Sequence, residues 1–490
     1  MSVRLCAANL PDIAGKAAVP SYDRSGLRAG IVHFGIGNFH RAHQAVYLDA
    51  LFEMGEGHDF AILGAGVMAS DQAMRDRLAG QDYLTTVVEQ DNASTSARVT
   101  GAMIDMLPVG DTPAIVEKLA DPAIRIVSLT VTEGGYFIDA DGKFDPAHPA
   151  IVADAQNPEA PTTVFGLICA GLRTRHARGV PPFTVMSCDN IPHNGKVCAA
   201  AVIGMARLVD GALAEWIASN VAFPNGMVDR ITPATSQREI DHCRETLGID
   251  DAWPVYCEEF KQWVLEDDFP AGRPALEKVG VQFVPDVTPY EHMKIRILNG
   301  GHAIIAYPAG LLDVHFVHEA MQTDLVARFL DKIETEEILP ILPPVPDTDL
   351  GAYYALIKRR FGNPKIGDTI RRLCLDGSNR QPKFIAPSVL DNLQAGRSPT
   401  GLALESALWC RYCRGVTDSG AAIAPNDPDW DRLTERARAA ETDPMAWLSM
   451  EAVYGGLKNE PRFAEPFADW LRMLAARGTA DTLRTYLGQH

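Results

Sequence analysis

Apolar positions along the chain fall into two regimes. In the first half, short apolar runs alternate with longer amphipathic stretches. Gly30-Ile31-Val32-His33-Phe34, Phe60 to Val67, Ile124 to Val131 and Phe183 to Ser187 read as buried strands. Between and after them, helices are predicted from after His43 through Met54, from Asp71 to Gly80, from Val164 to Arg178 and from Lys196 to Leu208. Tyr83 to Glu89 and Ile104 to Leu107 read as further strands of an inserted antiparallel piece. The stretch from Asp250 to Asp286, rich in Trp, Tyr, Pro and acidic residues, reads as irregular strands linking two domains. Beyond Thr288 the pattern is mainly helical, as in Glu319 to Leu339 and Phe463 to Gly478, with Pro340 to Asp349 a rigid connector. The expected division is residues 1–286 and 287–490.

One stretch of the helical half stands out. Thr288 to Asp313 is almost wholly apolar and reads as a single buried helix, interrupted by Glu291, Lys294, Asn299 and His302. At about 100° per residue, with Lys294 at zero, Glu291 falls at about 60°, His302 at about 80° and Asn299 at about 140°. The four therefore share one side. Burial disfavours the charged form of a lysine, which moves its amine toward use as a base. Gly300 and Gly301 allow a close approach to the backbone, and Pro308 with Gly310 ends or kinks the helix. A lone Lys or His on an apolar face is usually a snorkelling or satisfied side chain; only the cluster points to a site.

Composition narrows the function. The 490 residues are 47% hydrophobic and 22% charged, which is ordinary for a globular protein. A net charge of −18 argues against nucleic acid or anionic membrane as the main partner. The N-terminus lacks a signal-peptide core, and no apolar run reaches membrane-spanning length, so a cytoplasmic protein is expected. Nine scattered cysteines suit free thiols. Cys410 and Cys413 form a lone C-x-x-C, His315 and His318 lack partners at zinc spacing, and no metal is expected.

Further candidates lie after the strands. Gly35-Ile36-Gly37-Asn38-Phe39 follows the first strand and opens a helix, the arrangement of an anion cradle for a pyrophosphate, although His40 stands where a third glycine is usual. Alone, this is equally a plain tight turn. Asp71 follows the second strand, where an acidic group can bind ribose hydroxyls or cap the next helix. Glu133-Gly134-Gly135 follows the Ile124 run, either at a nucleotide's edge of the sheet or in an ordinary loop. Asn190, in Cys188 to Gly195, would stand at the same edge or make an Asx-turn. Phe223 to Ile231 reads as a loop or short strand holding one charged pair, Asp229 and Arg230.

GIGNFHRAHQAVY, TVTEGGY, SCDNIPHNG, FPNGMVDRITP, YEHMKIRILNGGHAIIAYPAGLLD and LDGSNRQPKF, in this order over most of the chain, resemble the polyol-specific long-chain dehydrogenases. The resemblance implies an α/β N-terminal Rossmann-type domain and a mostly α-helical C-terminal domain. It also implies a monomer that takes a nicotinamide cofactor, no metal, and a small polyol or ketose substrate. Carried onto this sequence, Lys294 is the general base, Asn190 and Asn299 hold the substrate oxygen, His302 orients the substrate, and Glu291 passes the proton on. Val228, Asp229, Arg372 and Arg380 fall at substrate positions, and Gly35, Gly37, Asn38, Phe39, Asp71, Glu133 and Gly134 at cofactor positions. Arg380 replaces the lysine of the family's D-G-S-x-K.

The reaction so implied is NAD-dependent oxidation of a sugar alcohol to a ketose, D-mannitol to D-fructose, in either direction. Preference for NAD rests on Asp71 and on the lack of a nearby arginine for a 2′-phosphate. The alternatives are D-arabinitol oxidation and a sugar-acid reductase of the fructuronate type, which would need a carboxylate clamp from Arg372, Arg380 or Lys383. A non-catalytic NAD-binding sensor is a third reading, and the intact Lys294, Asn299 and His302 set argues against it. Tyr354 and Lys358 have short-chain dehydrogenase spacing but lie in the helical half, and read as coincidence.

Overall fold

The apolar runs of the first half become a five-stranded parallel sheet in the computed structural model, which describes residues 2–139 and 143–489. Its strands are β1 (Ala29–Phe34), β2 (Ala61–Ala65), β3 (Met103–Met106), β4 (Ile126–Leu129) and β5 (Thr184–Ser187). They lie in the order β3-β2-β1-β4-β5, every neighbouring pair parallel. Successive side chains of a strand point to opposite faces, and both faces are covered. Val32, Phe34, Val127 and Val185 pack with Phe165, Ile168 and Val202 on one side. Ile31, Ile62, Ile126 and Met186 pack with Leu48, Phe52 and Trp263 on the other. This double burial is why these strands read as continuous apolar runs. The chain order reverses between β1 and β4, so the segments that leave these two strands diverge above a crevice, the usual ligand position in such sheets.

Three details differ from the sequence reading. Met103–Met106 is not part of an inserted antiparallel piece; it is the edge strand of the main sheet, paired with β2. The antiparallel partner of Thr85–Gln90 is Thr95–Thr100. The stretch from Asp250 to Asp286 does not merely link domains. Val255–Glu258 pairs in parallel with Thr85–Gln90, and Gln262–Glu266 pairs with both Gly226–Asp229 and Gln282–Val284. Finally, the helix expected after His43 through Met54 is present as Gln44–Glu53, and the turn before it holds a short helix of its own, Asn38–Ala42.

Contacts divide the chain into two compact units, Met1–Thr288 and Pro289–His490. The second is helical, so the α/β-plus-helical fold class read from the sequence holds. Its central helix, Gly300–Leu311, is buried on nearly all sides and packs on Asp324–Ile333, Ile370–Leu373 and Thr400–Tyr412. Pro308 neither ends nor caps it; the helix runs on to Leu311. An interior proline costs a helix roughly 3 kcal/mol, and burial of the surrounding Ile304, Ile305, Ala309 and Leu311 offsets it. No helix among the described residues is long and apolar enough to cross a membrane.

The helical unit also buries carboxyl groups. Glu405, on Thr400–Tyr412, is fully buried and accepts a 2.6 Å bond from Gln381 Nε2. Burial pushes its carboxyl up from 4.5 to about 8. Between those values the folded state holds a proton that the unfolded chain has released. Its contribution to stability therefore falls as pH rises from about 4.5 to about 8. Urea midpoints should decline across that window, and Glu405→Gln should flatten the decline; an unaltered slope would acquit this residue.

Candidate active site

In the first unit the site begins at the turn after β1. Gly35 has φ +98°, and a Cβ there would lie 2.2 Å from the Thr130 carbonyl oxygen, so the position requires glycine. Gly37 is exposed, and a Cβ on it would meet nothing nearer than the Gly35 carbonyl oxygen at 4.0 Å. The front of the turn is therefore open, as a cradle for a pyrophosphate must be. His33 buttresses the turn from inside the sheet. Its Nδ1 meets Ser128 Oγ at 2.7 Å and its Nε2 meets Thr130 Oγ1 at 2.9 Å. Burial lowers its pKa to about 3, so the ring is neutral. His40, in the third-glycine position, stacks on it with centroids 3.5 Å apart.

Asn38 and Asp71 prove to have structural duties. The Asn38 amide donates to the Pro233 carbonyl and to Thr235 Oγ1, both at 2.9 Å, and its Oδ1 accepts from Arg41 and Trp253. Only its backbone N–H is left to face a ligand. Phe39 stacks on His43 at 4.8 Å. Asp71 Oδ2 accepts from the amides of Val67 at 3.0 Å and Met68 at 2.9 Å, closing the entry to the helix Ala69–Ala79. Both bonds fall on one oxygen, so capping leaves the other for a hydroxyl donor.

The segments after β4 and β5 are held by two residues that the sequence reading passed over. Asp189, which precedes Asn190, accepts from the Val131 amide at 3.0 Å, the Thr132 amide at 2.8 Å and the Tyr136 hydroxyl at 2.7 Å. It thereby fixes the turn that carries Glu133 and Gly134, both exposed. Asn194 is fully buried and donates to the carbonyls of Asp189 at 3.0 Å and Gly226 at 2.8 Å, while its Oδ1 accepts from the Gly226 amide at 2.9 Å. It ties the Asn190 turn to the strand Gly226–Asp229, which carries Val228 and Asp229, both buried. Arg230 is not paired with Asp229: its guanidinium reaches Glu89 at 2.6 Å and the carbonyls of Ala42 and Glu258.

In the second unit the four polar groups lie on one helical run, but not a uniform α-helix. Thr288–Met293 is α-helical, Lys294–Asn299 forms a π-helical turn, and Gly300–Leu311 is α-helical again. The Gly300 amide bonds back five residues to the Ile295 carbonyl. In an α-helix five residues separate side chains by about 140°; a π turn nearly closes in five, bringing Asn299 back toward the face of Lys294. Arg296 pins the wide turn with bonds of 2.6 Å to Ser388 Oγ and 2.8 Å to Asp391 Oδ2.

Glu291 and Lys294 are buried, at 4% and 6% exposure. Asn299 Oδ1 and His302 Nε2 are buried atoms with no hydrogen-bond partner. Native proteins rarely leave such atoms unmatched, and two of them beside Lys294 make this helix face a candidate ligand position. The His302 ring stacks on Phe361 at 4.3 Å. Burial, and then the charges of Arg372, Arg360 and Arg380, hold it well below its usual pKa, so it is neutral.

Arg372 and Arg380, two of the three arginines near His302, have partners of their own. Arg372 makes a two-pronged ion pair with Asp368, and Arg380 donates to the Leu373 carbonyl at 3.1 Å. Tyr354 and Lys358 both bond Asp331, at 2.6 and 2.9 Å, which accounts for that pair without chemistry. Cys410 and Cys413 are buried free thiols pushed up by burial. Among the described residues, no three His, Cys, Asp or Glu side chains gather as a metal site.

Comparison with known proteins places the chain. The Mannitol dehydrogenase Rossmann domain model matches residues 29–278, and the Mannitol dehydrogenase C-terminal domain model matches residues 286–475. The chain is 60% identical over 469 residues to a mannitol 2-dehydrogenase of Cereibacter sphaeroides, covering 96% of this chain and 98% of that one. Among solved structures it resembles the Pseudomonas fluorescens mannitol 2-dehydrogenase ternary complex with NAD and D-mannitol. That match has 44% identity and a TM-score of 0.89 over 100% of both chains. A substrate-free D-sorbitol dehydrogenase is 35% identical with a TM-score of 0.91, covering 98% of this chain and 100% of that one.

The Asp189 network yields a prediction. Replacing the carboxylate with an amide in Asp189→Asn sets an NH2 group against backbone N–H donors. We expect a stability loss of about 1–3 kcal/mol in urea unfolding. Faster hydrogen exchange should accompany it at the Val131 and Thr132 amides. Unchanged exchange at both amides would show that Asp189 does not hold the turn.

Proposed function

The chain belongs to the mannitol dehydrogenase family, and we propose that it oxidises D-mannitol to D-fructose, reversibly, with NAD. The observation that carries the mechanism is the gathering of Lys294, Asn299 and His302 on one buried helical run, where Asn299 Oδ1 and His302 Nε2 are left without partners and Asn299 Nδ2 is the group that can donate to an oxyanion. Lys294 takes the proton from the reacting secondary hydroxyl as a general base. The amides of Asn190 and Asn299 donate to the alkoxide that develops on that oxygen. Neutral His302 fixes a neighbouring hydroxyl, and Glu291, three residues before the lysine, passes the proton toward solvent. Val228, Asp229, Arg372 and Arg380 border the polyol chain.

The residues present suit a dinucleotide. The open turn at Gly35 and Gly37, with the backbone N–H groups of Asn38 and Phe39, holds the pyrophosphate, Asp71 binds the adenosine ribose, and Glu133-Gly134 borders the nicotinamide end. NAD, when bound there, accepts the hydride from the carbinol carbon. A carboxylate after the second strand favours a free 2′-hydroxyl over a 2′-phosphate.

A neutral substrate is also the better fit. A sugar acid would need Arg372, Arg380 or Lys383 to clamp its carboxylate, yet Arg372 already pairs with Asp368, Arg380 with backbone carbonyls, and Lys383 has an interaction of its own. The relatives named above favour D-mannitol over D-arabinitol. We place the enzyme in the cytoplasm as a monomer without nucleic-acid or membrane partners, in keeping with its charge of −18.

Spectrophotometry tests this reading. NADH should form with mannitol faster than with arabinitol or sorbitol, not at all with mannonate, and poorly when NADP replaces NAD. Asn299→Ala should slow turnover by about 10²–10³-fold, the usual loss for one oxyanion donor, and leave NADH affinity intact. Weakened NADH binding at full turnover would contradict the role given to Asn299.

A further inference from the structure

One buried acid of the helical unit takes no part in the scheme above. Glu334 is fully buried, and neither carboxyl oxygen has a hydrogen-bond partner. Its natural partners are spent elsewhere: Tyr354 and Lys358, on the neighbouring helix, both go to Asp331. An unpaired carboxylate in such a place is costly enough that the group stays protonated, and burial followed by the Asp331 charge pushes it in that direction.

The location of this acid is informative. A Cβ built on Gly301 would come 3.3 Å from Glu334 Oε1 and 3.3 Å from Phe361 Cε2. Glu334 and Phe361 thus lie against the backbone at Gly301, which adjoins His302 and stands two residues beyond Asn299. Phe361 also carries the stacked His302 ring. Glu334 opens another π-helical segment of the helical unit, Glu334–Ile338, which touches the Lys294–Asn299 turn. The close approach that Gly301 permits is made by these side chains.

We propose that Glu334 is a positioning residue for polyol oxidation, a neutral acid wedged against Gly301 that sets where Asn299 and His302 stand. This rests on the reading of those two residues as substrate-handling groups. The acid is neither proton donor nor acceptor in the reaction; it works by its size and by remaining uncharged.

Four variants test the idea: Glu334→Ala, Glu334→Gln, Gly301→Ala and Gly301→Ala with Glu334→Asp. The added methyl of Gly301→Ala forces Glu334, Phe361 or the helix to give by a few tenths of an ångström; since a misplacement near 1 Å can cost about 100-fold, a loss of about 10-fold follows. We expect kcat/KM for mannitol to drop by about that factor, with NADH affinity unchanged. The shorter acid should relieve the crowding and recover part of the loss, a coupling that independent sites would not show. Glu334→Ala should raise KM and lower kcat together, and Glu334→Gln, of equal size and uncharged, should restore most of both. Loss in Gly301→Ala that Glu334→Asp leaves untouched would overturn the contact. Glu334→Gln as poor as Glu334→Ala would overturn the neutral role.

A readout independent of turnover completes the test. The infrared difference between wild type and Glu334→Gln should show the C=O band of a protonated carboxyl at neutral pH. Its absence would overturn the proposal even in an active enzyme. A chain without polyol turnover that keeps this band would instead refute the functional reading.

Discussion

The helical unit depends on keeping polar groups dry at one turn of helix. Asn299 and His302 each bury an atom that nothing in the unit satisfies, and such atoms cost stability until a ligand meets them. The fold bears this because the helix beyond them is apolar on nearly every side. A widened turn adds to the expense, since π geometry is uncommon and recurs at functional sites. The anchors are correspondingly firm. Arg296 ties the turn to Ser388 and Asp391, and Phe361 stacks on the imidazole that follows it. Packing defines this backbone first, and reactivity follows from what the backbone then leaves unmatched.

The sheet unit solves a different problem by similar means. Its loops at the carboxyl ends of β4 and β5 carry exposed residues that must still keep fixed positions. Asp189 and Asn194 supply the rigidity from below, through bonds to backbone N–H and C=O groups and to the Tyr136 hydroxyl. Because none of those partners is a charged side chain, no pairing of charged residues in the sequence betrays them. They lie inside a stretch whose neighbour Asn190 drew attention, and a buried Asx beside a Gly-containing turn is the signal that could have found them.

What the sequence made legible follows the same logic. Strands buried on both faces announce themselves as apolar runs, and the helix from Val164 to Arg178 was read to the residue. The segment between Val255 and Val284 reads as irregular strands linking two domains, and its strands are there, but their place in the sheets is hidden because partners lie far off in the chain; Val255–Glu258 pairs with Thr85–Gln90. The π turn was invisible because six residues are too few to separate a step of about 100° from a smaller one. The polar cluster on that run was found despite the wrong helix type, since a wider turn only gathers Lys294 and Asn299 more closely. Gly301 reads from the sequence as a place for another molecule to approach the backbone, whereas the groups that stand there are this chain's own Glu334 and Phe361.

His40 shows how a departure from a general pattern can be physically consistent. The third glycine of a dinucleotide turn exists so that helix and strand can pack closely. Here an imidazole occupies that position, which would crowd the strand if the strand presented an ordinary side chain. It presents His33 instead, and the two flat rings lie parallel with 3.5 Å between centroids. Two charged rings could not stack so. Burial drives both well below their usual pKa, and the mutual repulsion adds to the shift of His40. The neutral His33 can then accept or donate to Ser128 and Thr130, and Thr130 Oγ1 donates at 2.6 Å to the Gly35 carbonyl. The missing glycine is thus replaced by a stacked pair whose outer bonds lead back to the turn that the glycine would have served.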